Sequence, residues 1–113
     1  MSLQFSVTQI AALQLASVGG RVDSANAASF EKELLGLFDT PPTRILLDLS
    51  ALDYISSAGL RVVLMAAKRA KQTQGRLVLC GMQPHVREVF EISGFVKILE
   101  IVADRAAGEA VLS

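Results

Sequence analysis

Two short apolar runs, Ile45-Leu46-Leu47 and Leu77-Val78-Leu79-Cys80, carry no polar residue at alternate positions. A strand written this way has two faces to bury, so it belongs inside a sheet that is covered on both sides. The flanking segments supply the cover. Ala27, Phe30, Leu34 and Leu37 recur at spacings of three and four, with Glu31, Lys32 and Glu33 between them. That pattern predicts an amphipathic helix, closed by Pro41-Pro42 and started by Ser24 as N-cap. From Gly59, the residues Leu60, Val63, Leu64 and Ala67 repeat the spacing, with Arg61, Lys68 and Arg69 outward and Gly75 as C-terminal cap. Gln83-Pro84 reads as N-cap and first position of a third helix, which carries Val86, Val89 and Phe90 and stops at Gly94.

The N-terminal segment has a different period. Leu3, Phe5 and Val7 alternate with polar residues, and Leu13, Leu15 and Ser17 begin a second such run after residues 9–12. This predicts an antiparallel hairpin ended by Gly19-Gly20. At the other end, residues 96–102 read as a last strand, and Asp104 caps a short helix with Ala107, Ala110 and Val111. The order β-β-α-β-α-β-α-β-α predicts an α/β fold: a mixed, largely parallel sheet opened by a hairpin, with about four helices. Leu46, Leu47, Leu60, Val63, Leu64, Leu77 and Leu79 are its expected core.

Composition narrows the function classes. The chain has 113 residues, 51% apolar, which predicts one domain over residues 1–113. Eleven Lys+Arg balance eleven Asp+Glu, without the cationic surplus of a nucleic-acid binder. One cysteine, Cys80, and one histidine, His85, leave no disulfide framework and no zinc ligand set. Cys80 sits in an apolar run and reads as a small core residue. No apolar stretch is long enough for a membrane span, and Met1-Ser2-Leu3-Gln4 has no basic n-region, so the expected location is the cytoplasm.

Chemistry concentrates in Asp48-Leu49-Ser50-Ala51-Leu52-Asp53-Tyr54-Ile55-Ser56-Ser57-Ala58-Gly59-Leu60-Arg61. Two hydroxyls stand where a buried strand enters a helix, whose first N–H groups and partial positive charge favour an anion. Ser56 or Ser57 equally serves as a plain N-cap. A Ser-His-Asp triad would depend on His85 alone, and neither a Gly-x-Ser-x-Gly elbow nor a Gly-Lys phosphate loop is present. No catalytic residue, metal ligand or cofactor site is expected. Between Asp53 and Glu88 every charged residue is a cation: Arg61, Lys68, Arg69, Lys71, Arg76 and Arg87. This is either a solvated face or a docking face for an acidic protein surface.

Residues 48–64 resemble the signature of STAS domains (sulphate transporter and anti-sigma factor antagonist), in which an Asp-x-Ser strand end leads through Ile-Asp-Ser-Ser-Gly-Leu into a helix. Gly20-Arg21-Val22-Asp23 is similar to the family's Gly-x-Leu-Asp turn. Pro84-His85-Val86-Arg87-Glu88-Val89-Phe90-Glu91-Ile92-Ser93-Gly94-Phe95 resembles its third helix. Three matches in order span nearly the whole chain. The resemblance implies an anti-sigma factor antagonist, a switch rather than an enzyme. Unphosphorylated, it would bind an ATP-using serine kinase that is also an anti-sigma factor; phosphorylated, it would let go; a PP2C-type phosphatase would reset it. Ala58 stands directly before Gly59 and has no hydroxyl, and Ser56 occupies the family's acidic position. Ser57 is therefore the implied acceptor, with Ser56 as the alternative. Asp23, Ser24, Asp53, Ser56 and Arg61 are the implied docking residues, although Asp23 and Asp53 equally suit turns. The expected assembly is a monomer or weak dimer, with neither nucleic acid nor membrane as partner. Two rival readings remain open: an accessory subunit binding a transporter ATPase, and a nucleotide-binding or weakly hydrolytic domain.

Overall fold

The two-faced requirement on the central runs is met by helices on both sides of one sheet. A computed structural model describes residues 3–113 of the chain. β1 (Leu3–Ile10) and β2 (Leu13–Val22) pair antiparallel, and β3 (Arg44–Ile55), β4 (Arg76–Cys80) and β5 (Glu100–Val102) continue the sheet in parallel, in the order β1-β2-β3-β4-β5. α1 (Ala27–Gly36), α2 (Ser57–Gln72) and α3 (Pro84–Ser93) cover one face. There Phe30, Leu34, Leu47, Leu49, Val63 and Phe90 form the main core. α4 (Arg105–Leu112) covers the other face, where Leu46, Val78 and Cys80 meet Leu13, Leu15 and Leu112. Successive side chains of a strand point to opposite faces, so Leu46 and Leu47 enter different clusters, and both are fully buried. The α/β expectation is thus met.

Several boundaries differ from the expectation, each for a local reason. Among the described residues Gly19-Gly20 does end the pairing of the hairpin, at Leu3↔Gly20, but not the strand: β2 runs on to Val22 because its second edge pairs with β3, through Gly19↔Ala51 and Val22↔Ile55. Ser24 is not the cap of α1. The Asp23 carboxylate accepts from the N–H groups of Ala25 (3.0 Å) and Asn26 (3.1 Å), winding an extra turn that moves the N-cap to Asn26. Thr73 is the C-cap of α2, and Gln74 (φ 57), not Gly75, takes the left-handed conformation. Residues 96–102 do not form one strand. Gly94, left-handed at φ 81, closes α3 and leads into a 3-10 turn, Phe95–Lys97, which leaves only three residues for β5. Gln83, Pro84 and Asp104 stand where expected, and the Asp104 side chain accepts from the Ala107 N–H at 2.9 Å.

Of the expected core, six residues are buried, but Leu64 is only half-buried at the rim of the main cluster. Leu64→Ala is therefore expected to cost about 1–2 kcal/mol, below the ~2–5 of a fully buried leucine, as urea unfolding would measure. Cys80 is fully buried, and burial, reinforced by the nearby Asp48 carboxylate, pushes its thiol up to about 11. It is a core residue held as the neutral thiol. Among the described residues, no helix is long and apolar enough to cross a membrane, and no three metal-ligating side chains cluster.

Candidate functional site

β3 passes into α2 through a single residue, Ser56, which is extended at φ −84 and ψ 172. Its N–H donates to the Val22 carbonyl at 2.8 Å, tying the junction to the end of β2. Its hydroxyl accepts from the Gly59 N–H at 3.2 Å, and its carbonyl accepts from the Leu60 N–H at 2.9 Å. Ser56 is thus the N-cap of α2, satisfying one of the N–H groups that a helix start leaves unpaired. Ser57 follows as the first helical residue and is exposed. The two adjacent serines therefore have different tasks: one hydroxyl is engaged by the backbone, and the other stands at the surface over the positive end of the helix.

Gly59 makes this junction possible. A Cβ at that position would lie 2.7 Å from both Ile55 Cγ1 and Val22 Cγ1. Only a residue without a side chain lets the first turn of α2 descend onto the ends of β2 and β3. Ile55 and Leu60 are buried beneath it.

Other proposed docking residues gather around this edge. Asp23 directly follows Val22, and its carboxylate is occupied by the turn before α1; the Asn26 amide oxygen in return accepts from the Asp23 N–H at 2.9 Å. Asp23 therefore has the turn-forming task that its residue type suggested. Ser24 is exposed beside it. Asp53 is exposed near the end of β3; its carboxylate accepts from the Gln83 side chain at 3.3 Å. Arg61 is exposed on α2, four residues after Ser57 and hence on the same face one turn further on. Lys68 and Lys71 are exposed further along the helix, while Arg69 reaches Asp39 at 3.7 Å. α2 contains no acid, and its cations fall in two places, Arg61 near the start and Lys68, Arg69 and Lys71 in the last turns.

Sequence reasoning passed over four residues at this edge. Arg21 and Tyr54 are neighbours across β2 and β3, and the Arg21 guanidinium lies 4.2 Å from the centre of the Tyr54 ring. The pair puts an exposed aromatic and a cation together, the residue types that dominate protein–protein contacts. Both lie inside the quoted motif segments, but their contact depends on strand register. Gln83 and His85, at the start of α3, reach back to the carbonyls of β3.

Comparison with known proteins agrees with this geometry. BtrV of Bordetella bronchiseptica, assigned by name as an anti-sigma factor antagonist, is 50% identical over 108 residues, which is 96% of this chain and 93% of that protein. The anti-sigma-B factor antagonist of Listeria monocytogenes is 35% identical over 85 residues, 74% of each chain. The crystal structure of an anti-sigma factor antagonist from Mycobacterium paratuberculosis superposes with a TM-score of 0.88 at 20% identity, covering 98% of this chain and 94% of that one. Residues 5–108 match the STAS domain, and they include all but the first two residues of the hairpin, the capped β3–α2 junction and the α3 segment just described, so the chain belongs to the STAS domain family.

Proposed function

We propose that the protein is a cytoplasmic anti-sigma factor antagonist that works by partner switching, with Ser57 as the switch. The observation that carries this reading is the division of labour at the β3–α2 junction, in a chain half identical to a named antagonist. Ser56 is used up as the cap, whereas Ser57 is exposed at the first helical position. In the unphosphorylated form, the edge formed by Ser24, Asp53, Ser56 and Arg61, with the Asp23 turn beneath it, docks on an ATP-using serine kinase that is also an anti-sigma factor. The kinase transfers the γ-phosphoryl group of ATP to the Ser57 hydroxyl: the Oγ–P bond forms as the β–γ phosphoanhydride bond breaks, and ADP and the hydroxyl proton leave. The product adds about −1.5 to −2 charges at pH 7. Within the free domain, that charge is well placed at a helix N-terminus. Against a close partner, the same charge and its hydration oppose docking, and a change of only ~1.4 kcal/mol lowers affinity tenfold. A PP2C-type phosphatase restores the hydroxyl. No catalytic group of this chain takes part, and residues 1–113 act as one domain, a monomer or weak dimer.

The test mixes the purified chain with the anti-sigma kinase encoded in its own genome, with and without ATP and Mg²⁺, and follows both complex formation and the modified residue. Binding without ATP, lost as phosphate appears on the chain, is the expected result. A kinase that neither binds nor modifies the chain would defeat the proposal, and capture of a transporter ATPase instead would favour the accessory-subunit alternative. Arg61→Glu is expected to weaken the complex about tenfold (~1.4 kcal/mol) without lowering the unfolding midpoint, since the side chain is exposed. Asp23→Lys is a poorer probe of charge, because it removes the acceptor that organises the turn before α1.

A further inference from the structure

β3 outruns its neighbour. Its last partner on β4 is Asp48↔Cys80, yet the strand continues through residues 49–55 while still paired with β2 on the other edge. The overhang should therefore leave unpaired carbonyls where β4 is missing. At Ser50, Leu52 and Asp53 it does not. The chain leaves β4 through Gly81, left-handed at φ +76 and so close to β3 that a Cβ would lie 3.0 Å from Asp48 Oδ1 and 3.2 Å from Ser50 Cβ. This turn brings Gln83 back against the overhang. Its side-chain amide donates to the Ser50 carbonyl at 3.1 Å and the Leu52 carbonyl at 3.0 Å, and lies 3.3 Å from Asp53 Oδ1. Two residues further on, at the second position of α3, His85 Nε2 lies 2.6 Å from the Asp53 carbonyl. A carbonyl only accepts, so Nε2 carries the proton. Gln83 is the N-cap of α3 but makes no side-chain capping bond to its own helix. Its amide is spent on β3 instead.

We infer that Gln83 and His85 form a side-chain surrogate for the missing strand, and that this clasp is the positioning device that holds the signature segment in the shape its partner recognises. The inference rests on the docking role proposed for that segment. The clasp grips β3 at residues 50, 52 and 53, and the acceptor Ser57 lies only four residues beyond the last of these, with the rigid cap at Ser56 between. Asp53, whose carbonyl and carboxylate both touch the clasp, is thereby fixed in place as well. Without the clasp, the overhang would be held along one edge only.

Hydrogen exchange of the full chain tests this directly, with wild type, Gln83→Glu, His85→Ala and His85→Gln. Gln83→Glu keeps the shape but replaces the donor with a carboxylate that faces two carbonyls and Asp53; a negative charge at the start of α3 suits the helix, so α3 itself is not weakened. His85→Gln retains an N–H donor at nearly the same reach, and His85→Ala removes it. The expected result is exchange of the amides of residues 50–56 about tenfold faster in Gln83→Glu and His85→Ala, at wild-type rates in β4 and α4, with His85→Gln close to wild type. Both loosened variants should also bind the anti-sigma kinase more weakly. Unchanged exchange in residues 50–56, acceleration spread over the whole chain, or local loosening with undiminished kinase affinity would each overturn the inference. If the wild-type chain itself fails to bind the kinase, the docking role falls, and the exchange pattern alone decides whether the clasp exists.

Discussion

Ser57→Ala is expected to reduce phosphate incorporation from the anti-sigma kinase to background while leaving the chain folded and bound. The loss of phosphorylation follows if Ser57 is the nucleophile, because alanine offers no oxygen. The retained fold follows from position. Ser57 is exposed at the first turn of α2, alanine is the best helix former, and the capping hydroxyl belongs to Ser56, so stability should stay within about 0.5 kcal/mol. The variant should then behave as a permanently engaged antagonist, holding the kinase even with ATP present. Ser57→Asp should bind more weakly, although one carboxylate supplies less charge than a phosphate. Ser56→Ala separates the two serines: it removes the cap and costs about 1 kcal/mol, yet should still accept phosphate next door. Mass spectrometry of the kinase reaction reads all three. Phosphate that persists in Ser57→Ala and disappears in Ser56→Ala would move the switch one residue upstream; transfer to neither would remove phosphorylation from the function.

The parts of this site legible in the sequence are those whose causes are local. A capping serine before helical spacing, a proline after its N-cap and an aspartate before the last helix are set by neighbours within four residues, and the structure keeps Ser56, Pro84 and Asp104 in those places. Ser24 was misread for a reason almost as local: Asp23 competes for the same backbone N–H groups and holds them first. Gly19-Gly20 reads as punctuation in one dimension, but β3 lies alongside and keeps the strand going. The Arg21–Tyr54 contact and the clasp of Gln83 and His85 depend on how far β3 overruns β4 and on which residues register across strands. Nothing within a short window of Gln83 reveals that its side chain abandons its own helix. The legible half therefore locates the hydroxyls, and the illegible half is the set of contacts between strands and helices that surrounds them.

Gly59 shows the same division, and it carries the largest stability effect expected at the site. The sequence placed it near the start of α2 without a reason for its being glycine. A helix gains from the replacement: alanine is about 1 kcal/mol better than glycine inside a helix, and valine only about half that. Packing opposes both. A Cβ at 2.7 Å from Ile55 and Val22 cannot be met by moving a flexible tip, because both neighbours are buried and anchored in strands. Overpacking a core costs about 1–3 kcal/mol for added methylenes. For Gly59→Ala the terms partly cancel, and the net loss should be about 1 kcal/mol. For Gly59→Val two further methyl groups enter the same gap with little helix gain, so the loss should reach about 3 kcal/mol, a large fraction of the ~5–15 that holds a domain of this size. Urea unfolding should rank wild type, Gly59→Ala and Gly59→Val in descending stability. The strain must be relieved by lifting the first turn of α2 away from β2 and β3, which displaces Ser57 relative to Asp53 and Asp23. Gly59→Ala, still folded, should therefore lose kinase affinity out of proportion to its small loss of stability. A Gly59→Val chain as stable as wild type would mean that α2 is free to shift, and that the close approach of its first turn to the two strands is not what fixes Ser57.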